Sequence, residues 1–264
     1  LGLKLARQLG DLGWTGLLLN GQGELTWRRG DYGRARLLLD ESIEIGRQLG
    51  SPYAIAPPTG LMGRLAKARG DLDEAAVHFE EALEISRQAG MHMFVPWWLW
   101  GRADVYRLAG DTESALAWMV EARAAAEAVG NEHVVAFTIW ARARIARASG
   151  RHDEAETLDL EALRRRQAVG DGCGILDSLE SLAGLAAVRG DASKAARLLA
   201  ATDAHRILNR CARPVPQQAE HDADQALAWS ALPAGAFDRA WAEGHALSRD
   251  EAVALALGPD DQLA

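Results

Sequence analysis

The chain has only two cysteines, Cys173 and Cys211, too few for a disulfide framework or a thiolate metal site. They read as unpaired thiols of a reducing compartment, and Cys173, with no histidine or cysteine beside it, as an inert one. No segment approaches the ~18 consecutive apolar residues of a membrane span, and the first residues do not read as a secretory leader. Basic residues are outnumbered, 29 Lys and Arg against 37 Asp and Glu, for a net charge of -8, which argues against direct grip on a nucleic-acid backbone. Neither a Walker A loop nor a nucleophile elbow is present. The 7 histidines fall in no ligand spacing. Nothing assembles a nucleophile, a base and oxyanion donors, so neither an enzyme nor a cofactor or metal protein is expected. The expected compartment is the cytoplasm.

What is present is a rhythm. The 264 residues are 48% hydrophobic and 25% charged, enough to bury a large core. Gly30, Gly70, Gly110, Gly150 and Gly190 form one series, and Gly10, Gly50, Gly90, Gly130 and Gly170 a second, offset by half a period. Aspartate follows the first series at Asp31, Asp71, Asp111 and Asp191, with Arg151 the exception. Self-similarity at a fixed period marks a repeat architecture. Between glycines lie helix formers, Ala, Leu, Arg and Glu. The glycine closes one helix in a left-handed conformation and the aspartate caps the next.

The columns are as regular as the turns. Alanine stands at Ala35, Ala75, Ala115, Ala155 and Ala195. Small residues stand at Ser42, Ala82, Ala122, Ala162 and Thr202, and at Gly23, Gly63, Ala103, Ala143 and Ala183, letting paired helices approach closely. A larger apolar column holds Leu39, Phe79, Met119 and Leu199. Asp159 interrupts it, so packing is expected to be poorest there. The stretch from Leu61 through Ala75, with Phe79, Ala82 and Leu83, resembles the tetratricopeptide repeat. That resemblance implies an all-α, right-handed solenoid of antiparallel helix pairs. The family's period is about 34 residues. Here it is longer because the closing proline is replaced at Arg47, Arg87, Glu127 and Gln167, so the second helix runs on to its glycine.

The rhythm ends at Arg210, where glycine was due. Pro214 and Pro216 force a loop. Helices are expected at 217–232, 236–243 and 252–257, the last behind a Ser248–Glu251 capping box. The expected division is repeats over 1–210, beginning inside a helix of a preceding repeat, capping helices over 211–258 and a tail at 259–264. Phe237 to Ser248, continuing through Glu251 to Leu257, is similar to the closing segment of large actinobacterial ATP-dependent LuxR-type, maltose-activator-like and antibiotic-regulator-type transcriptional regulators. The resemblance implies that nucleotide-switch and DNA-reading domains lie elsewhere in the parent protein. It also implies that the repeats sense a small-molecule inducer or a protein partner and control activation or self-association. A stand-alone adaptor binding an acidic peptide is the alternative.

Four positions of each first helix face the groove in tetratricopeptide scaffolds. Carried over by register, the expected binding surface is Trp27; Arg64 and Lys67; Trp97, Trp100, Asp104 and Arg107; Phe137, Trp140, Arg144 and Arg147; and Asp177 and Glu180. Its middle is aromatic and basic, with only Asp104 opposing the cations, and its far end is acidic. Two readings stand open. Trp97, Trp98 and Trp100 fill core space while the arginines pair with Asp104, Asp177 and Glu180. Alternatively, Trp100 and Trp140 form a stacking floor, with arginines fixing an anionic or polyhydroxyl ligand. Pro96 is expected to restart or kink its helix. The glycines at Gly170, Gly172 and Gly174 read as an inter-helix turn because no strand precedes them. Met91, His92 and Met93 read as a turn, and the column Glu41, Glu81, Glu121 and Glu161 as a solvated stripe.

Overall fold

The computed structural model describes residues 2–233 and 235–258, so the tail expected at 259–264 lies outside the described residues. Fourteen helices and no strand occur among the described residues. They are α1 (Gly2–Gln8), α2 (Leu12–Arg28), α3 (Tyr32–Leu49), α4 (Pro52–Arg69), α5 (Leu72–Gln88), α6 (Val95–Leu108), α7 (Thr112–Ala128), α8 (Glu132–Ala148), α9 (His152–Ala168), α10 (Gly172–Val188), α11 (Ala192–Asn209), α12 (Val215–Ala231), α13 (Ala236–Ala246) and α14 (Arg249–Leu257). The chain divides into two compact units, Leu1–Val135 and Ala136–Ala264, with the boundary inside α8.

Turn chemistry sets the helix ends. All ten periodic glycines have positive φ, and the two series differ: 73° to 88° at Gly30, Gly70, Gly110, Gly150 and Gly190, but 59° to 70° at the others. Asp11, Asp31, Asp111, Asp171 and Asp191 each accept a hydrogen bond from the amide three residues on, as helix caps do. Asp71 instead pairs with Arg69. Arg210 stands at the glycine position with φ 54°, the one non-glycine residue of positive φ among those described.

In the first unit, α2 packs on α3, α4 on α5 and α6 on α7. The columns become the core: Ala35, Leu39, Ala75, Phe79, Ala115 and Met119 are all closed to solvent. Small residues are needed where rings lie on backbone. A Cβ at Gly60 would meet the Trp98 ring at 2.3 Å, and one at Gly101 would meet Phe79 at 2.4 Å. Pro96 sits in the first turn of α6, where its missing N–H goes unneeded, so the helix restarts after the 91–94 turn.

In the second unit, α9, α10 and α11 carry the core, with Leu163, Leu176, Leu179, Leu198 and Leu199 buried. Helices α13 and α14 lie on α11, placing Phe237, Ala240, Ala252 and Val253 over its apolar side. The Ser248–Glu251 capping box is formed. Asp159 is fully buried in the large-residue column. Ser181 Oγ donates to its Oδ2, while Oδ1 has no hydrogen-bond partner.

One expectation is overturned. Cys173 and Cys211 are not separate thiols but a disulfide, with Cα atoms 5.9 Å apart. Their separation of 38 residues hides this. Cys173 opens α10 and Cys211 follows α11, and an antiparallel helix pair puts the start of one beside the end of the other.

Candidate functional site

In the first unit, α2, α4 and α6 bring cations onto indoles. The Arg64 guanidinium is 4.4 Å from the Trp27 ring centroid and 5.6 Å from that of Trp97. Lys67 Nζ lies 4.1 Å over the Trp100 ring and donates to Asp104 Oδ2 at 2.6 Å. Arg107 Nε donates to the other carboxylate oxygen at 2.7 Å. One buried carboxylate is thus held between two cations. Burial opposes ionisation of Asp104, but Arg107 and Lys67 outweigh it and hold the carboxyl well below the usual carboxylate range. Burial lowers the Lys67 pKa, with Asp104 acting against it.

The three tryptophans of α6 divide their roles. Trp98 is buried in the core, its Nε1 donating to Ser86 Oγ at 3.1 Å. Trp97 lies at the edge, 6.3 Å from the His133 ring. Trp100 is buried under Lys67. Trp100 and Asp104 lie closed to solvent behind a partly exposed rim of Trp27, Arg64 and Trp97. Its chemistry suits an anionic group: guanidinium grips carboxylate or phosphate with a two-point fork, and indole faces hold cations and flat or apolar rims.

In the second unit, Trp140 is buried between two guanidiniums, Arg144 at 4.9 Å and Arg166 at 5.0 Å from its ring. Its Nε1 donates to the Asp177 carbonyl, and Phe137 lies 4.7 Å under Arg166. Here the expected charge balance is corrected. Asp104 is not the sole acid facing the groove cations. Glu220 and Asp224 of α12 lie on Arg144 and Arg147, with Arg147 gripping both oxygens of Asp224. The acidic end is not open either. Arg206 bonds Asp177 and Glu180 at 2.5 and 2.7 Å, and Arg213 reaches Glu180 at 2.6 Å. The reason is topological: α12 folds back onto α10 and α11, and it lies outside the repeat register. Burial opposes ionisation of Glu180, but Arg206 and Arg213 lower its pKa below the ordinary value. For Asp177 burial dominates over Arg206 and the pKa is raised.

A recess of about 10 Å³, room for roughly one water, remains between Trp140, Arg144, Glu180, Gln217 and His221 and opens to solvent. Among the described residues no group of three His, Cys, Asp or Glu is arranged to hold a metal ion. Met91 is buried whereas Met93 is exposed, so the two sulfurs flanking His92 do not share an environment. No helix among the described residues is long and apolar enough to cross a membrane.

Residues 2–165 match the MalT-like TPR region. The chain belongs to this family. It is 45% identical over 83 residues to proteins named as HTH-type transcriptional regulators of Mycobacterium tuberculosis and Mycobacterium bovis. That stretch covers 31% of this chain and 9% of each relative, so the chain spans a small part of those proteins. Two solved structures share the fold. A STAND signal-transduction ATPase with a tetratricopeptide repeat sensor, from Pyrococcus horikoshii, is similar at TM-score 0.56 and 16% identity, over 92% of this chain and 37% of that one. BtubC from P. vanneervenii is similar at TM-score 0.57 and 21% identity, over 81% of this chain and 90% of that one.

The MalT-like TPR match ends one residue before Arg166, and the groups missed by sequence reasoning begin there. One register column holds Gly46, Ser86, Ala126, Arg166 and Arg206. The first three are small. The last two are buried arginines, Arg166 donating to the Gly174 carbonyl and Ser178 Oγ, Arg206 to the acids of α10. The change is legible as a size exchange with the next helix: Ser86 faces the large Trp98, while Arg166 faces the small Ser178. A charged residue entering a small-residue column was the available signal. Glu220, Asp224 and Arg213 carried none, because they lie beyond the last repeat.

Proposed function

We propose that this chain is the sensor region of a multidomain transcriptional regulator. The first unit's face would bind an anionic inducer that biases the parent protein between resting and self-associated states. Membership in the MalT-like TPR region and the local identity to HTH-type regulators support the sensor role. The observation that carries the ligand class is the arrangement of Lys67 and Arg107 on Asp104, with Arg64 against Trp27 and Trp97 and Lys67 against Trp100. Lys67 and Arg107 hold Asp104, Arg64 lies on two indoles, and the indoles supply flat contact for a sugar or aryl portion of the ligand. No step in this role requires bond chemistry, a cofactor or a metal, and the parent protein would act in the cytoplasm, where DNA is read.

Thermal-shift screening of the 264-residue chain with carboxylated and phosphorylated sugars and metabolites tests the reading. A ligand at 100 times its Kd adds about 2.7 kcal/mol to stability. A hit must be lost in Arg64→Ala. Hits that survive that change place the site elsewhere, and no hit among anions removes the ligand class.

A further inference from the structure

Helix α12 is attached to the second unit in an unusual way. Its buried positions are His221, Asp224 and Ala228, so one alanine is its apolar contribution. By contrast, α11 buries Ala195, Ala196, Leu198, Leu199, Ala200 and Ala201 among others. Val215, Leu227 and Trp229 of α12 are exposed. What holds the helix is charge: Glu220 on Arg144 and Asp224 on Arg147. The two acids are one helical turn apart on α12, and the two arginines one turn apart on α8, so both pairs form at once. His221 Nε2 lies 3.4 Å from Asp203, and its buried Nδ1 has no hydrogen-bond partner.

The groove floor is shaped for this occupant. Gly184 of α10 stands beneath the second pair. A Cβ there would meet Arg147 Nη1 at 2.0 Å and Asp224 Oδ2 at 2.1 Å. Glycine there leaves room for the ends of both side chains to meet without shifting. The flanks of α12 are secured independently. Cys211, ahead of it, is bonded to Cys173, and α13, after it, packs on α11 through Phe237 and Ala240. Pro214 and Pro233 separate the helix from both anchors, and Pro216 lies in its first turn rather than in a preceding loop. The segment is therefore a strap fastened at both ends.

We propose that the Arg144–Arg147 face of the second unit is a docking site for an acidic helix of a partner protein, and that α12 is its resident, displaceable occupant. The partner helix carries two carboxylates four residues apart, with a small residue four positions further on, as Glu220, Asp224 and Ala228 do. Binding follows the helix-in-groove mode with charge in place of the usual apolar anchors, so it weakens with salt. This deepens the reading of the chain as a binding scaffold and is independent of the anion face in the first unit, whose residues its test leaves untouched.

The probe is a fluorescein-labelled synthetic peptide of residues 214–232, titrated against the full 264-residue chain. Wild type is expected to bind it weakly, because α12 occupies the site. The Glu220→Gln/Asp224→Asn chain is expected to bind at least ten-fold more tightly. That gain should vanish when Arg144→Ala is added. A double variant that binds no better than wild type overturns the proposal, as does binding indifferent to Arg144. Hydrogen exchange on the wild-type chain gives a readout free of variants: α12 amides are expected to exchange ahead of those of α11. Equal protection of the two helices would mean that α12 opens only with the whole unit, which also overturns it.

Discussion

Ser181 Oγ donates to Asp159 Oδ2 across 2.8 Å, at a position closed to solvent. Burial pushes the Asp159 carboxyl up to about 7, although Ser181, Arg144, Arg166 and Arg147 all favour the ionised form. The native state therefore keeps a proton that the unfolded chain gives up near pH 4. Between about pH 4 and 7 the folded form binds more protons, so this group makes stability fall as pH rises, with the full penalty present above 7. Asp159→Asn is expected to remove that slope and to stabilise the protein by roughly 2–4 kcal/mol at pH 8, with little effect at pH 4. Urea unfolding of both proteins across pH 4–8 measures it. Parallel stability curves would show that Asp159 ionises normally in the fold.

Asp104 presents the opposite sign. Its pKa is depressed, so its contribution is present at neutral pH and is lost as pH falls below the ordinary carboxylate range near 4. Asp104→Ala leaves Lys67 and Arg107 buried without their shared counter-charge, which costs about 3–5 kcal/mol. Denaturant midpoints for Asp104→Ala and Lys67→Ala/Asp104→Ala should differ, the double change being the milder of the two per group removed. A single change costing under about 1 kcal/mol would mean that the triad behaves as a solvated surface pair.

Arg210 holds φ 54° in the place of a glycine. A side chain in the left-handed region costs about 1 kcal/mol. Arg210→Gly is expected to stabilise the chain by about 0.5–1 kcal/mol, read as a higher melting temperature. Arg210→Ala, which keeps the strain, should not raise it.

The Cys173–Cys211 bond closes a loop spanning 38 residues. Loop-closure entropy for that length is worth about 3–4 kcal/mol. Melting with and without a phosphine reductant should show the difference, and thiol titration of the oxidised, denatured chain should find no free cysteine. Two reactive thiols before reduction would contradict the bond.

Much of the fold was legible in the chain itself, because a helical repeat is built from local rules. Gly70 and Asp71 specify a turn whatever surrounds them, and Ala75 and Phe79 specify which side of α5 is buried. Even the helices beyond Arg210 announced themselves through Pro214, Pro233 and the Ser248–Glu251 box. The site was legible only as a list of positions. Register put Arg64, Lys67, Asp104 and Arg107 on one face, but the order of contacts, with Asp104 between two cations and Trp98 turned into the core, depends on side-chain packing between helices.

What sequence determined, then, is everything that recurs: the turns, the helix lengths, the small and large columns and the family to which they belong. Tertiary structure alone decided what happens where the recurrence stops. Cys173 meets Cys211 because antiparallel helices exchange ends, and Glu220 and Asp224 meet Arg144 and Arg147 because α12 turns back across the groove. Contacts between distant, non-repeating segments are chosen by how the assembled surfaces fit, and no local pattern in the chain encodes that fit.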